Sequence, residues 1–220
     1  MKVLELFAGT ASFSNVAKAR GHQTFTTDID PQFECDATCD INEFDWFARG
    51  NDGFKWPNIV WASPPCETFS VASIGTHWGG GVGAYEPKTV EAKKGIDRVL
   101  DAIDIINYLK PRAWIIENPR GVLRKMPFMR IGRRYTVSYC QYGDTRMKPT
   151  DLWSNIEDLE FKPMCKNGDP CHEAAPRGSR TGTQGIKSYR DRSRVPAELC
   201  ESILIQLEER LSGAAEGETK

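Results

Sequence analysis

Short apolar runs alternate with helical patterns along this chain, and the alternation constrains the fold more than any other feature. The runs and patterns fall, in order, at residues 2–7, 10–20, 23–27, 58–62, 91–109, 113–116 and 196–211. Runs of four to six apolar residues indicate strands, and apolar residues every three or four positions indicate helices. Strands that alternate with helices predict an α/β fold with a mostly parallel sheet and helices on both of its faces.

Several side chains capable of chemistry follow the predicted strands directly. In parallel sheets, ligands bind outside the carboxyl ends of the strands. The residues at these ends are Phe7, Asp28, Pro65, Cys66 and Glu117. The sequence therefore predicts that one edge of the sheet carries a binding or catalytic site.

Two stretches depart from the alternation. Residues 71–95 are glycine-rich and without periodicity, so they are predicted to be a structureless lid or binding loop. Residues 162–194 are predicted to be a small irregular subdomain. The predicted divisions are a core at 1–150, a small region at 151–192, a helix returning to the core at 193–211 and a disordered tail at 212–220.

Composition argues for one domain inside a cell. The 220 residues suit one medium domain, and the seven cysteines are odd in number and scattered, which favours reduced thiols. No apolar segment approaches the ~20 residues of a membrane span, and the amino terminus does not resemble a signal peptide. We expect a soluble, cytoplasmic protein without membrane contacts.

The net charge of −1 conceals an asymmetry. The first fifty residues are acid-rich, whereas 124–148 and 177–194 are dense in arginine and lysine. This pattern indicates either a face that meets a polyanion or ordinary solvated surface charge.

The stretch LELFAGTASFS, residues 4–14, favours a nucleoside ligand. Small residues between a strand and a helix let a ligand approach the helix amino terminus, and Asp28 is placed to accept ribose hydroxyls. One glycine is too few for a dinucleotide fingerprint, so S-adenosylmethionine suits the turn better. An ordinary tight turn remains the alternative.

Cys66 is either a nucleophile or a small buried residue, and its predicted neighbours bear on the choice. Glu117 ends a buried strand, where desolvation raises the pKa of a carboxyl group toward the range in which it can donate a proton. The alternative is a structural acid that caps the following helix. Arg146 and Lys148 lie two residues apart, which would place both side chains on one face of an extended strand. The pair would either hold a phosphate or a ring carbonyl, or lie on a face exposed to solvent.

Together, these groups suit methylation of cytosine at carbon-5. A thiolate that adds to carbon-6, with an acid at ring nitrogen 3, makes carbon-5 nucleophilic toward a sulfonium methyl group. A cysteine, a glutamate and a sulfonium-binding turn are what this chemistry requires.

At this point the chain resembles the cytosine carbon-5 DNA methyltransferases. The matching stretches are, in order, LELFAGTASFS, SPPCETFS, ENPRG, YGDTRMKPTDLW and RSRVPAELC. The resemblance implies a Rossmann-like, S-adenosylmethionine-dependent methyltransferase fold with a small irregular target-recognition insertion. Its compactness is similar to that of phage-encoded orphan enzymes, which implies a bacterial or phage-infected cell and a part in restriction–modification or regulation.

The resemblance also implies residue roles. Catalysis would use Cys66, Glu117, Arg146 and Lys148. S-adenosyl-L-methionine would contact Phe7, Ala8, Gly9, Thr10, Asp28, Ile29, Asp40, Ile41 and Pro65. Double-stranded DNA, with its target base flipped out, would contact Ser70, His77, Trp78, Lys148, Arg177 and Arg180. No obligate protein partner is indicated, and a monomer is expected.

Three positions depart from the family pattern. Glu67 replaces the glutamine that usually follows the nucleophile, Lys148 and Thr150 stand where two arginines are common, and Arg192-Ser193 replaces a Gly-Asn pair. The last change lies near the donor and leaves room for a modified form of S-adenosylmethionine.

Alternatives remain at this stage. Cys165, Cys171 and His172 suggest zinc, but without a fourth ligand packing is favoured and no metal is expected. An RNA cytosine-5 methyltransferase and a catalytically inactive DNA-binding homologue are the rival functions.

Overall fold

The structure, a computed structural model, describes residues 1–46, 56–81, 84–173 and 188–213. The strands are β1 (Lys2–Leu6), β2 (Gln23–Asp28), β3 (Ala37–Thr38), β4 (Ile59–Ala62), β5 (Trp78–Gly79), β6 (Glu86–Pro87), β7 (Ala113–Pro119), β8 (Arg133–Ser138) and β9 (Pro149–Ser154). The α-helices are α1 (Ser12–Ala19), α2 (Ile74–His77), α3 (Val90–Leu109), α4 (Tyr189–Ser193) and α5 (Ala197–Gly213). None of the helices in these ranges is long and apolar enough to cross a lipid bilayer.

A seven-stranded sheet, in the order β3-β2-β1-β4-β7-β9-β8, confirms the predicted fold class. The pairs β3–β2, β2–β1, β1–β4 and β4–β7 are parallel, whereas β9 is antiparallel to both of its neighbours. The parallel strands bring their carboxyl ends to one edge, as the sequence predicted.

Alternate strand residues build a hydrophobic cluster on each face of the sheet. Val3 and Ile59 point toward α1 and α5, whereas Leu4 and Val60 point toward α3. This division follows from the two-residue period of a strand, and it places helices on both faces. The helices α3 and α5 begin within one residue of their predicted starts.

The segment after the nucleophile loop is not structureless, so that prediction was wrong. It contains a 3-10 turn at Val71–Ser73, then α2, then the β5–β6 hairpin, and α3 begins at Val90. Trp78 fixes this segment, because its ring is buried and its Nε1 donates to the Thr68 carbonyl oxygen at 2.6 Å. Buried apolar contacts, which loop composition does not reveal, order the segment.

The carboxyl-terminal helix extends farther than predicted. α5 ends at Gly213, so the first two residues of the predicted tail are helical, and 214–220 lie outside the described residues. α5 packs against the β1 face of the sheet through Leu199, Ile203 and Leu207.

Candidate active site

Cys66 lies in a loop that β7 holds in place. The amide Nδ2 of Asn118 donates to the Pro64 carbonyl oxygen at 3.0 Å, and Asn118 is fully buried. The backbone N–H groups of Phe69 and Ser70 both donate to the Cys66 carbonyl oxygen, at 3.1 and 3.2 Å. Cys66 therefore begins a tight turn at the carboxyl end of β4, with its side chain half-buried.

The charges around Cys66 act on its thiol in opposite directions. Burial raises the pKa of Cys66 to about 12, the Lys148 ammonium lowers it, and the Glu67 and Glu117 carboxylates raise it. Before substrate binds, the sulfur therefore holds its proton at neutral pH. A thiolate is the better nucleophile, so catalysis requires that this proton leave.

Glu117 occupies the end of β7, next to β4, with 6% of its surface exposed. Tyr139 Oη donates to Glu117 Oε1 at 2.7 Å. Burial raises the pKa of Glu117, while Lys148 and hydrogen bonds from Tyr139 and Ser63 oppose that rise. A raised pKa suits the carboxyl group to hold a proton and donate it.

Lys148 links these groups electrostatically. Its Nζ lies 4.6 Å from the centre of the Tyr139 ring and donates to the Arg192 carbonyl oxygen at 3.0 Å. Burial lowers the pKa of Lys148, and the charges of Glu117 and Cys66 raise it. Lys148 is therefore a half-buried cation that stabilises negative charge on both the acid and the nucleophile.

The Arg146 guanidinium is held by contacts within the protein. Its guanidinium, 4% exposed, pairs with Asp144 and donates to the Asp191 and Arg192 carbonyl oxygens at 3.2 Å each. These contacts engage the guanidinium within the protein, so a role for Arg146 in holding a phosphate or ring carbonyl stays a prediction. Arg146 joins the loop before β9 to α4.

The turn after β1 has the backbone shape expected of a ligand-binding turn. Phe7, Gly9 and Ala11 have φ values of 54°, 49° and 52°, a region that non-glycine residues adopt rarely. Asp28 holds the turn, because its Oδ2 accepts from Gly9 N at 2.8 Å and its Oδ1 accepts from Asp30 N at 2.9 Å. Close by, Thr10 Oγ1 and Ser12 Oγ are 2.9 Å apart.

Glu5, which the sequence analysis missed, supports the same turn from below. It is 2% exposed, and its two carboxylate oxygens accept from Phe13 N at 3.3 Å and Ser14 N at 2.7 Å. Burial raises the pKa of Glu5 to about 7. An acid inside the apolar run KVLEL was the available signal, because a buried acid needs partners such as a helix amino terminus.

Most of the predicted donor-site residues fit an adenosyl group. Ile29 is 65% exposed and offers an apolar surface on which a ring could pack. Next to it, the carboxylate of Asp28 has lone pairs that could accept hydrogen bonds from hydroxyl groups. Ala8 is buried, Pro65 is half-buried, and Asp40 accepts from Arg98 Nη1 at 2.6 Å.

Ile41 departs from that expectation. It is 3% exposed and packs in the hydrophobic cluster under α3. Its side chain therefore packs in the core and is not exposed to a ligand.

The predicted DNA-contacting residues that the structure describes differ in their surroundings. Trp78 is 3% exposed and packs on Phe69, with ring centres 5.6 Å apart, so the expectation that its side chain contacts DNA was wrong. His77 Nδ1 lies 2.7 Å from Thr89 Oγ1, and Ser70 Oγ lies 3.1 Å from Ser73 Oγ. Arg177 and Arg180 lie outside the described residues.

The basic stretch 124–148 is partly internal. Arg124 donates to both carboxylate oxygens of Asp151, at 2.9 and 2.7 Å, and the Asp151 side chain is fully buried. The exposed cations of the stretch are Lys125, Arg130, Arg133 and Arg134. The sequence alone could not separate these two groups.

Comparisons with known proteins find methyltransferases that are similar to this chain. The chain is 31% identical over 173 residues to a probable DNA (cytosine-5)-methyltransferase of Frog virus 3 (isolate Goorha), with 78% of each chain covered. A protein from an E. coli prophage, described as a DNA modification methyltransferase, has a similar structure with a TM-score of 0.52. The identity to that protein is 13%, so the likeness shows the fold alone; it covers 74% of this chain and 49% of that one, so this chain spans about half of its length. No family model matches the sequence.

Proposed function

This chain belongs to the DNA (cytosine-5)-methyltransferase family, and from that premise we propose that it methylates carbon-5 of cytosine in double-stranded DNA through a covalent Cys66 adduct. Family membership makes the chain a methyltransferase. The family's donor, S-adenosyl-L-methionine, supplies a methyl group on a sulfonium, which carbon nucleophiles can attack. The residues that would hold it are those of the β1–α1 turn together with Asp28, Ile29 and Asp40.

The observation that carries the proposal is the group of Glu117, Tyr139 and Lys148 beside the Cys66 loop. Tyr139 donates to Glu117 at 2.7 Å, and the Lys148 charge acts on both Glu117 and Cys66. A nucleophile, an acid and a cation at one sheet edge are what addition to a pyrimidine ring needs.

Each step uses these groups in order. Cys66 loses its proton, and its sulfur bonds to carbon-6 of the ring while Glu117 gives a proton or hydrogen bond to ring nitrogen 3. Carbon-5, now electron-rich, would bond to the methyl group as the bond from that group to the donor sulfur breaks, which leaves a neutral thioether. Loss of the carbon-5 proton then expels the Cys66 thiolate, restores the double bond, and returns nitrogen 3 and Glu117 to their initial state.

The position of Cys66 also requires that the base leave the duplex. Carbon-6 of a stacked base cannot reach a half-buried thiol at a sheet edge, so we infer base flipping, at a cost of a few kcal/mol. The exposed cations Lys125 and Arg130, in the turns that follow the carboxyl end of β7, would offset that cost through phosphate contacts. Residues 1–150 would form the catalytic and donor-binding core, and 151–192 would recognise the target.

A covalent trap tests the mechanism directly. DNA with 5-fluorocytosine has no carbon-5 proton to lose, so with the donor present the wild-type protein should form a stable adduct, seen as a shifted band on a denaturing gel. Cys66→Ser should form none, whereas Cys35→Ser, which alters another half-buried thiol, should still form the adduct. An adduct with Cys66→Ser would contradict the assignment.

The substrate class is tested separately. Bisulfite sequencing of DNA from a methylation-free host that expresses the chain should show protected cytosines at a short site. A methyl-tritium assay with duplex DNA and with tRNA distinguishes the alternatives: label in tRNA alone would replace the DNA proposal with an RNA cytosine-5 methyltransferase, and label in neither would indicate an inactive homologue.

A further inference from the structure

Four soft ligand atoms converge outside the active site. Cys140, from the 3-10 turn Tyr139–Tyr142, meets Cys165, Cys171 and His172 from the segment after β9. The three sulfurs and His172 Nδ1 all lie within 4.8 Å of one another. The sequence offered only the last three, and Cys140 is the fourth ligand whose absence had favoured packing over metal.

The spacing of these atoms fits a tetrahedral zinc ion. With Zn–S bonds of ~2.3 Å and a Zn–N bond of ~2.1 Å, a regular tetrahedron has S···S edges of about 3.8 Å and S···N edges of about 3.6 Å. Cys140 Sγ and Cys171 Sγ are 3.6 Å apart, and His172 Nδ1 lies 3.8 Å from Cys165 Sγ and 3.5 Å from Cys171 Sγ. The Cys140–Cys165 edge, at 3.1 Å, is shorter and would open when an ion enters.

The chain between the ligands is shaped to present them. Lys166 N donates to Asp169 Oδ2 at 2.6 Å and Asp169 N donates to the Lys166 carbonyl oxygen at 3.1 Å, which closes a tight turn between Cys165 and Cys171. Gly168 in this turn has a φ of 94°, a value that favours glycine. Gln141 Nε2 donates to Cys171 Sγ at 3.3 Å, the kind of outer contact that orients a metal-bound thiolate.

We propose that Cys140, Cys165, Cys171 and His172 bind a structural zinc ion. Three thiolates and one imidazole form a closed set of four protein ligands, as in structural rather than catalytic zinc sites. Two of the four residues are buried and two are half-buried, so an ion would be shielded yet able to enter.

The site fastens the segment after β9 to the active site. Cys140 follows Tyr139 directly in the chain, and Tyr139 is the hydrogen-bond donor to Glu117. Ser138 Oγ contacts Met164 Sδ at 3.3 Å, and Glu173 N donates to the Thr145 carbonyl oxygen at 2.9 Å, so the segment is anchored on both sides of the cluster. Zinc would thus hold residues 164–173 against the turn that positions the catalytic acid.

Metal analysis of the purified full chain tests this proposal without reference to activity. Protein expressed with added zinc and purified without chelator should contain about one zinc per chain, as four protein ligands require. Cys171→Ser and Cys165→Ala should each lose most of this metal. The matched control Cys35→Ser removes a half-buried thiol outside the cluster and should retain it.

A second measurement covers variants that fail to fold. Cobalt-substituted wild-type protein should absorb in the visible with the intensity of a tetrahedral sulfur-rich site, and a chelator should lower both this absorbance and the melting temperature. A zinc content of wild-type protein no higher than the buffer background would overturn the proposal. A disulfide between Cys140 and Cys165 instead of a metal site, detected as the loss of two free thiols, would also overturn it. Full metal content in Cys171→Ser would overturn it as well.

Discussion

Tyr139 Oη donates a hydrogen bond of 2.7 Å to Glu117 Oε1, and both side chains are buried. The bond joins the end of β7 to the turn after β8, two elements separated by the whole of β9 in the sheet. It fixes the orientation of the acid, and it favours the ionised form of Glu117 against the effect of burial.

Tyr139→Phe should alter the pH dependence of methyl transfer. Loss of the donor removes an interaction that lowers the pKa of Glu117, so this pKa should rise, and the limb of the pH–rate profile that reports loss of its proton should move to higher pH. Loss of a hydrogen bond to a charged group should also reduce kcat about tenfold. Initial rates across a pH series would measure both effects.

Tyr142→Phe is the matched control, because Tyr142 Oη accepts from Lys162 N and does not contact Glu117. An unmoved limb in Tyr139→Phe, or an equal shift in both variants, would show that Tyr139 does not act through the acid.

Glu67→Gln should make Cys66 react faster with iodoacetamide. The Glu67 carboxylate raises the pKa of Cys66, so its removal lowers that pKa and increases the thiolate fraction, roughly two- to threefold for an exposed charge. Lys148→Met should act in the opposite direction, since the lysine lowers the same pKa. Alkylation rates of Cys66 followed by mass spectrometry distinguish the two, and Glu86→Gln, an exposed acid on β6, serves as control.

Gly121→Ala should destabilise the protein and displace the nucleophile loop. A Cβ at Gly121 would lie 2.0 Å from the Phe69 carbonyl oxygen, an atom that also accepts from Val122 N at 2.8 Å. Overpacking of this kind costs typically 1–3 kcal/mol. Urea unfolding should show the loss, and Gly75→Ala, where a Cβ meets nothing within 4 Å, should not share it.

Arg124→Ala should lower the free energy of unfolding by about 3 kcal/mol, because it leaves the buried Asp151 carboxylate without its cation. Lys125→Ala, an exposed neighbour, should change it by less than about 0.5 kcal/mol. Chemical denaturation measures both values. The double variant Arg124→Ala/Asp151→Asn should recover part of the loss; no recovery would mean that the ion pair is not the cause.

Glu208→Gln should reduce the acid sensitivity of the fold. The hydrogen bond from Arg20 lowers the pKa of Glu208 to about 2, below its value in an unfolded chain. A depressed folded-state pKa stabilises the fold above about pH 4.3, and that stabilisation disappears as pH falls toward about 2. The pair is partly exposed, so screening makes the effect modest. Denaturation midpoints at about pH 5 and pH 3 should differ less in Glu208→Gln than in wild type or in Glu209→Gln.

The sequence predicted those parts of the fold that depend on local pattern. Apolar periodicity located α3, α5 and the strands β1, β2, β4 and β7, because burial on both faces leaves long apolar runs. It missed β8, whose sequence RRYTVS begins with two exposed arginines at the sheet edge. Apolar periodicity also predicted no structure for 71–95, because the contact that anchors this segment, from Trp78 to Thr68, joins residues ten positions apart.

The sequence by itself determined the chemistry at the strand ends: Cys66, Glu117 and the β1 turn are each encoded within a few consecutive residues. The tertiary structure decided which other side chains reach them. Tyr139 contacts an acid 22 residues away, and Arg124 and Arg146 form ion pairs with carboxylates of the same chain. Cys140 joins a cluster whose other members lie 25 or more residues later. These contacts depend on strand register and packing across the sheet, which no local pattern of residues specifies.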